Sequence, residues 1–170
     1  MSCILNIETS TSVCSVALSM DGEVLFAKAS FDGPSHAALL GVFVEEALSV
    51  LKKKGKKALD AVAVSSGPGS YTGLRIGVSV AKGLCFGFGI PLIGIHTLDI
   101  MAATVNSKGD SQIVSITDDC LYCAMLDARR MEVYAAIYDA SLKPVRETKA
   151  DIVEAGTSVS YTHLTLPTIL

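Results

Sequence analysis

Residues 60–77, Asp60-Ala61-Val62-Ala63-Val64-Ser65-Ser66-Gly67-Pro68-Gly69-Ser70-Tyr71-Thr72-Gly73-Leu74-Arg75-Ile76-Gly77, join a buried strand to a helix through the sharpest turn in the sequence. The apolar, β-branched run before the turn has no polar alternation, so it predicts a strand covered on both faces. Gly67-Pro68-Gly69 then lets the backbone take conformations that a side chain would forbid, with Pro68 fixing one dihedral. Ser70 or Thr72 is the expected N-cap of the following helix. A strand, a glycine turn and a helix N-terminus aim N–H groups and a partial positive charge at one point, chemistry suited to a phosphate or carboxylate. The plainer reading is that any tight strand-to-helix turn needs glycine. Inside the helix Gly73, Gly77 and Ala81 stand four apart and share a face, which predicts close approach of another backbone.

The 170 residues are half apolar and carry 14 basic against 17 acidic side chains, a net charge of −3. That supports a sizeable core and argues against direct nucleic-acid binding by this chain alone. The one basic cluster is Lys52, Lys53, Lys54, Lys56 and Lys57, read as a complement to a helix dipole and a wet surface. No apolar run reaches membrane-spanning length and no leader precedes Cys3, so the expected setting is cytoplasmic with no membrane contact. Five scattered cysteines suit reduced thiols, and Cys120 and Cys123 lack the second pair that zinc would require. No metal site is expected.

Upstream, Ile4–Glu8, Ser12–Ser19 and Glu23–Ser30 read as three antiparallel strands, with Asp21-Gly22 turning the second hairpin. From Pro34 to about Lys54 the apolar spacing becomes helical, yet from Ala37 to Val44 every residue is apolar or glycine. A surface helix normally has one apolar stripe, so a second uncharged side that includes Ala38, Gly41 and Val42 predicts burial against another helix or another protein. Downstream, Pro91–Ile95 reads as a buried strand parallel to the central one, and Thr97–Ala103 as a short helix. Ile113–Ile116, Leu121–Leu126 and Val133–Tyr138 read as further strands, with Asp127–Arg130 a hairpin. The expected divisions are 1–105 for a first subdomain, 106–154 for the start of a second and 155–170 for an unassigned tail.

This element order is that of the α/β ribonuclease H-like or actin-like ATPase (ASKHA) fold, with a mixed sheet of three antiparallel strands followed by parallel ones. Ile7-Glu8-Thr9-Ser10-Thr11, Ser35-His36, the 67–77 stretch, Pro91–Leu98 and Asp127-Ala128-Arg129 together closely resemble the TsaB (YeaZ) family over about residues 3–154. The resemblance implies a non-catalytic partner of TsaD in forming the threonylcarbamoyl group on adenosine 37 of tRNAs that read codons beginning with A. TsaE is an implied further partner, and tRNA is met only through the complex. It also implies pairing through N-terminal helices, with His36, Leu39, Leu40, Phe43, Val44 and Ala47 as interface candidates and a homodimer through the same surface as a further possibility. Relatives continue into a longer second subdomain, so the one here is expected to be incomplete.

The competing expectation is an actin-like ATPase or phosphotransferase that uses Glu8 and Thr11 with Mg²⁺ and the Gly67–Gly73 turn. Its candidate phosphate ligands are Glu8, Thr9, Ser10, Thr11, Gly67, Gly69, Ser70, Thr72, Gly73 and Arg75, read as vestigial, with ATP or ADP and Mg²⁺ confined at most to a complex interface. Glu8 is one methylene longer than the aspartate that nucleotide-binding relatives usually carry there. No H-x-x-x-H pair occurs for a metalloprotease and no G-x-S-x-G elbow for a hydrolase. Gly67, Gly69 and Gly73 are spaced one residue too long for a dinucleotide fingerprint.

Overall fold

The computed structural model describes residues 2–31, 36–55, 58–107 and 121–152. Two compact units divide after His96, ahead of the 105/106 boundary expected from the polar run. The helix that follows His96 belongs with the second unit because its apolar side packs there.

In the first unit the strands are β1 (Cys3–Glu8), β2 (Cys14–Met20), β3 (Glu23–Ser30), β4 (Ala61–Ser65) and β5 (Leu92–Ile95), with helices α1 (His36–Lys53) and α2 (Tyr71–Phe88). The sheet order is β3-β2-β1-β4-β5. β1 is antiparallel to β2 and β2 to β3, while β1–β4 and β4–β5 are parallel. Asp21 and Gly22 both take positive φ, 50° and 87°, the conformation that a tight hairpin turn demands. β1 alternates buried and half-buried residues along its length, while every residue of β4 is buried.

Cys3, Leu5 and Ile7 of β1, Val16 and Leu18 of β2, and Val62 and Val64 of β4 form the core together with Leu40, Phe43, Val44, Ala47 and Leu51 of α1 and Ala81 and Cys85 of α2. Both helices therefore cover this apolar sheet face. β5 departs from expectation: Leu92, Ile93 and Ile95 are 37–38% exposed. It is the edge strand, and within this unit β4 and α2 are the elements with substantial contact to it.

In the second unit α3 (Thr97–Ser107) precedes the antiparallel sheet β6-β7-β8, formed by Tyr122–Arg129, Glu132–Tyr138 and Pro144–Ile152. Leu98 and Ala102 of α3 pack with Ala124, Ala136 and Tyr138, and the Tyr138 hydroxyl donates to Asp99 in the first turn of α3. Burial pushes the Tyr138 phenol well above its ordinary range, and the Asp99 hydrogen bond and charge add to the shift. The strand expected at Ile113–Ile116, Cys120 and the 155–170 tail lie outside the described residues.

Candidate functional site

α2 starts as the sequence expects, with Ser70 as N-cap accepting from the Gly73 N–H, and it ends at Gly89 in the left-handed region (φ 66°) with the Gly89 N–H donating to Cys85. Its glycine face meets the β1–β2 turn. A Cβ at Gly73 would run into the Thr9 carbonyl, one at Gly77 into the Thr9 hydroxyl, and one at Gly69 into the Ser10 backbone. The close backbone approach predicted from the spacing is therefore real, and its partner is the turn.

That packing decides whether the turn fits a phosphate. The Ser70 N–H donates to the Ser10 carbonyl at 2.6 Å, and the Glu8 carboxylate accepts from the Ser10 N–H at 2.6 Å. Two helix-start donors, at Ser70 and Gly73, and the one carboxylate of the motif are thus engaged within the chain. Thr9 and Ser10 are 0% and 1% exposed, and their hydroxyls, like that of Ser65, have no hydrogen-bond partner among the described residues. The Thr9 hydroxyl faces the Gly77 backbone. The Thr11 hydroxyl accepts from the Val13 N–H. The Ser70 and Gly73 donors and the Glu8 carboxylate are thus spent on holding the turn and the helix cap in place rather than left open to a nucleotide phosphate and its Mg²⁺. Thr72 and Arg75, also proposed for that site, face outward and are exposed.

His36 is buried, and its Nε2 lies 3.0 Å from the Thr11 carbonyl. A carbonyl can only accept, so Nε2 carries the proton, and the bond ties the start of α1 to the same turn. Leu40, Phe43, Val44 and Ala47 are 0–6% exposed in the chain's own core, and Leu39 is half-buried against it. All six interface candidates thus serve the chain's own fold, five of them buried and Leu39 half-buried against the core.

The opposite side of α1 is open. Ala37, Ala38, Gly41 and Val42 are exposed, uncharged, and small except for Val42. Gly41 has nothing within 4 Å of where a Cβ would stand, unlike Gly73 and Gly77, so no packing within the described chain requires it. On α2 the exposed residues Thr72, Arg75, Ser79, Gly83 and Phe86 continue the surface, and Gly83 likewise meets nothing. Between the helices lies an open groove of about 460 Å³ lined by Ala37 of α1 and by Tyr71, Thr72, Arg75, Ile76, Ser79 and Val80 of α2. The Arg75 guanidinium sits 5.3 Å from the centre of the Tyr71 ring, which keeps this cation of the groove over an aromatic face. The α2 half of this surface escaped sequence reading, although Gly83, a helix glycine outside the Gly73-Gly77-Ala81 row, was a usable signal.

Among the described residues no group of three or more His, Cys, Asp or Glu side chains could hold a metal ion. Burial pushes the Cys14 and Cys123 thiols up, with Arg146 opposing and Asp151 adding to the shift at Cys123. No helix among the described residues is long and apolar enough to cross a membrane.

A five-stranded mixed sheet in this order, with two helices on one face and the β1–β2 turn against α2, defines an α/β domain of the actin-like ATPase class. The sequence profile of TsaD, tRNA N6-adenosine threonylcarbamoyltransferase, matches residues 32–164. The tRNA threonylcarbamoyladenosine biosynthesis protein TsaB of Escherichia coli (strain K12) is 38% identical over 139 residues, covering 79% of this chain and 54% of that protein. TsaB of Bacillus subtilis (strain 168) is 30% identical over 135 residues, with 79% and 54% covered. YeaZ from Pseudomonas aeruginosa superposes with a TM-score of 0.75 at 27% identity, over 98% of this chain and 71% of that one. The chain belongs to the TsaD-like family and, within it, to the TsaB (YeaZ) group. It spans about half the length of the curated relatives it matches.

Proposed function

We propose that this chain is the non-catalytic, cytoplasmic partner of a TsaD-type transferase in the formation of threonylcarbamoyladenosine on tRNA. The observation that carries the proposal is the outer side of α1. Ala37, Ala38 and Gly41 form an exposed, uncharged strip, and Gly41 carries the usual cost of a helix glycine, about 0.5–1 kcal/mol, with no packing need among the described residues. Small residues let a second helix approach closely, and an uncharged strip of this kind marks an interaction surface. The partner is a chain of like fold whose own helices lie against α1 and the outer side of α2. The engaged Glu8 carboxylate and the enclosed Thr9 and Ser10 hydroxyls support a scaffold role over phosphoryl transfer. TsaE joins the assembly and tRNA is met through the complex, while a second copy of this chain competes for the same surface when the transferase is absent.

The test is reconstitution. Wild-type chain mixed with the transferase of its host is expected to co-elute with it and to make tRNA modification dependent on both. Ala38→Arg, which places a charge on the exposed strip and leaves the core untouched, is expected to remove co-elution while the free energy of unfolding stays within about 0.5 kcal/mol of wild type. Normal co-elution of the Ala38→Arg variant, or modification that proceeds at full rate without the chain, overturns the proposal.

A further inference from the structure

Among the described residues, the lysine side chains at the end of α1 take no part in the core or in the small-residue strip of the docking surface. Lys52, Lys53 and Lys54 are all exposed. The helix end is closed by backbone alone, with the Lys54 N–H donating to Val50 and the Gly55 N–H to Lys52, so these side chains are not needed as caps. Two of the carboxylates nearest in sequence are already engaged: Glu46 pairs with Lys28 at 2.7 Å, and Asp60 accepts from the Cys3 N–H. Consecutive helical residues fan out by about 100° each, so no single acidic side chain could take all three ammonium groups. Lys56 and Lys57 extend the run to five of the six residues at 52–57, in a chain whose net charge is −3. Like charges this close repel one another, and a helix dipole needs no more than a charge or two. A run of cations fanned over a helix end suits a partner with repeated, closely spaced anions.

We propose that, in the assembled complex, this end of α1 contacts the sugar-phosphate backbone of the RNA substrate. The inference rests on the functional reading above, which brings RNA to the complex. The contact is electrostatic and non-specific. Three ammonium groups that displace counterions steepen the salt dependence of binding by about 2–3 in log K against log [salt]. The chain alone binds RNA weakly, because three contacts supply little of a specific affinity.

The experiment measures tRNA affinity of the reconstituted complex between about 50 and 200 mM salt, for wild type, the triple variant Lys52→Gln/Lys53→Gln/Lys54→Gln and the triple arginine variant. The glutamine variant is expected to lower the slope by about 2–3, so that wild-type affinity falls about 16- to 64-fold further than that of the variant across the range. The arginine variant is expected to keep the wild-type slope. Equal slopes for wild type and the glutamine variant overturn the inference while leaving the partner role intact. A glutamine variant that loses affinity for the transferase, with tRNA binding per complex unchanged, assigns the lysines to a protein contact and overturns it as well. Failure of the wild-type chain to assemble with the transferase refutes the partner role first, and this inference with it.

Discussion

Replacing Gly41 with alanine separates stability from binding, because the two should move in opposite directions. The added methyl meets nothing within 4 Å among the described residues, and alanine is favoured over glycine inside a helix by about 0.5–1 kcal/mol. For a unit of this size that gain raises the unfolding midpoint by about 2–8 °C. Against a closely docked partner helix the same methyl is an overpacking change that costs about 1–3 kcal/mol, or roughly 5- to 150-fold in Kd. Scanning calorimetry of the chain alone and titration calorimetry with the transferase read the two effects. A variant less stable than wild type would show that α1 is enclosed on this side too. A variant more stable with unchanged Kd would place the partner elsewhere.

Gly77→Ala is the converse: its Cβ would enter the Thr9 side chain, so urea unfolding should show a loss of about 1–3 kcal/mol, and Gly73→Ala, which meets backbone, should lose at least as much. Phe43→Asp puts a charge into the core, and the isolated chain should fail to fold by circular dichroism, so loss of partner binding in that variant reports unfolding and not interface contact. The Tyr138 phenol is held above its ordinary value of about 10, so its contribution to stability is complete below about pH 10 and declines as pH rises beyond it, where the unfolded chain sheds the proton first. Unfolding midpoints between about pH 9 and 11 should therefore fall more steeply for wild type than for Tyr138→Phe, and parallel curves would refute that coupling.

The first unit was largely legible because its signals are local. The β-branched run at 61–64, the Asp21-Gly22 hairpin and the Ser70 cap each fix a backbone path by short-range sterics or one hydrogen bond. The spacing of Gly73 and Gly77 announced a close approach but could not name its partner, since Thr9 is remote in sequence and the contact is set by how the β1–β2 turn lies on α2. Likewise α1 has two apolar sides, and periodicity does not say which one meets the sheet. The interface candidates fell on the longer side chains Leu40, Phe43 and Val44, which are the ones the core takes up. Composition could not show that β5 stands at an edge. β8 escaped notice because its Pro-Val-Arg-Glu-Thr-Lys-Ala-Asp-Ile sequence is mostly exposed and carries little apolar alternation.

Cysteine footprinting tests the docking surface most directly. With Ala38→Cys on the outer side of α1 and Glu147→Cys on the exposed part of β8 as control, both positions are open to solvent and should react with a thiol reagent at similar rates in the free chain. Addition of the transferase should slow labelling at position 38 by at least about tenfold and leave position 147 unchanged, as burial of a fully docked site requires. Equal labelling at position 38 with and without the transferase, under conditions where the two proteins co-elute, would contradict the assignment of α1 to the partner.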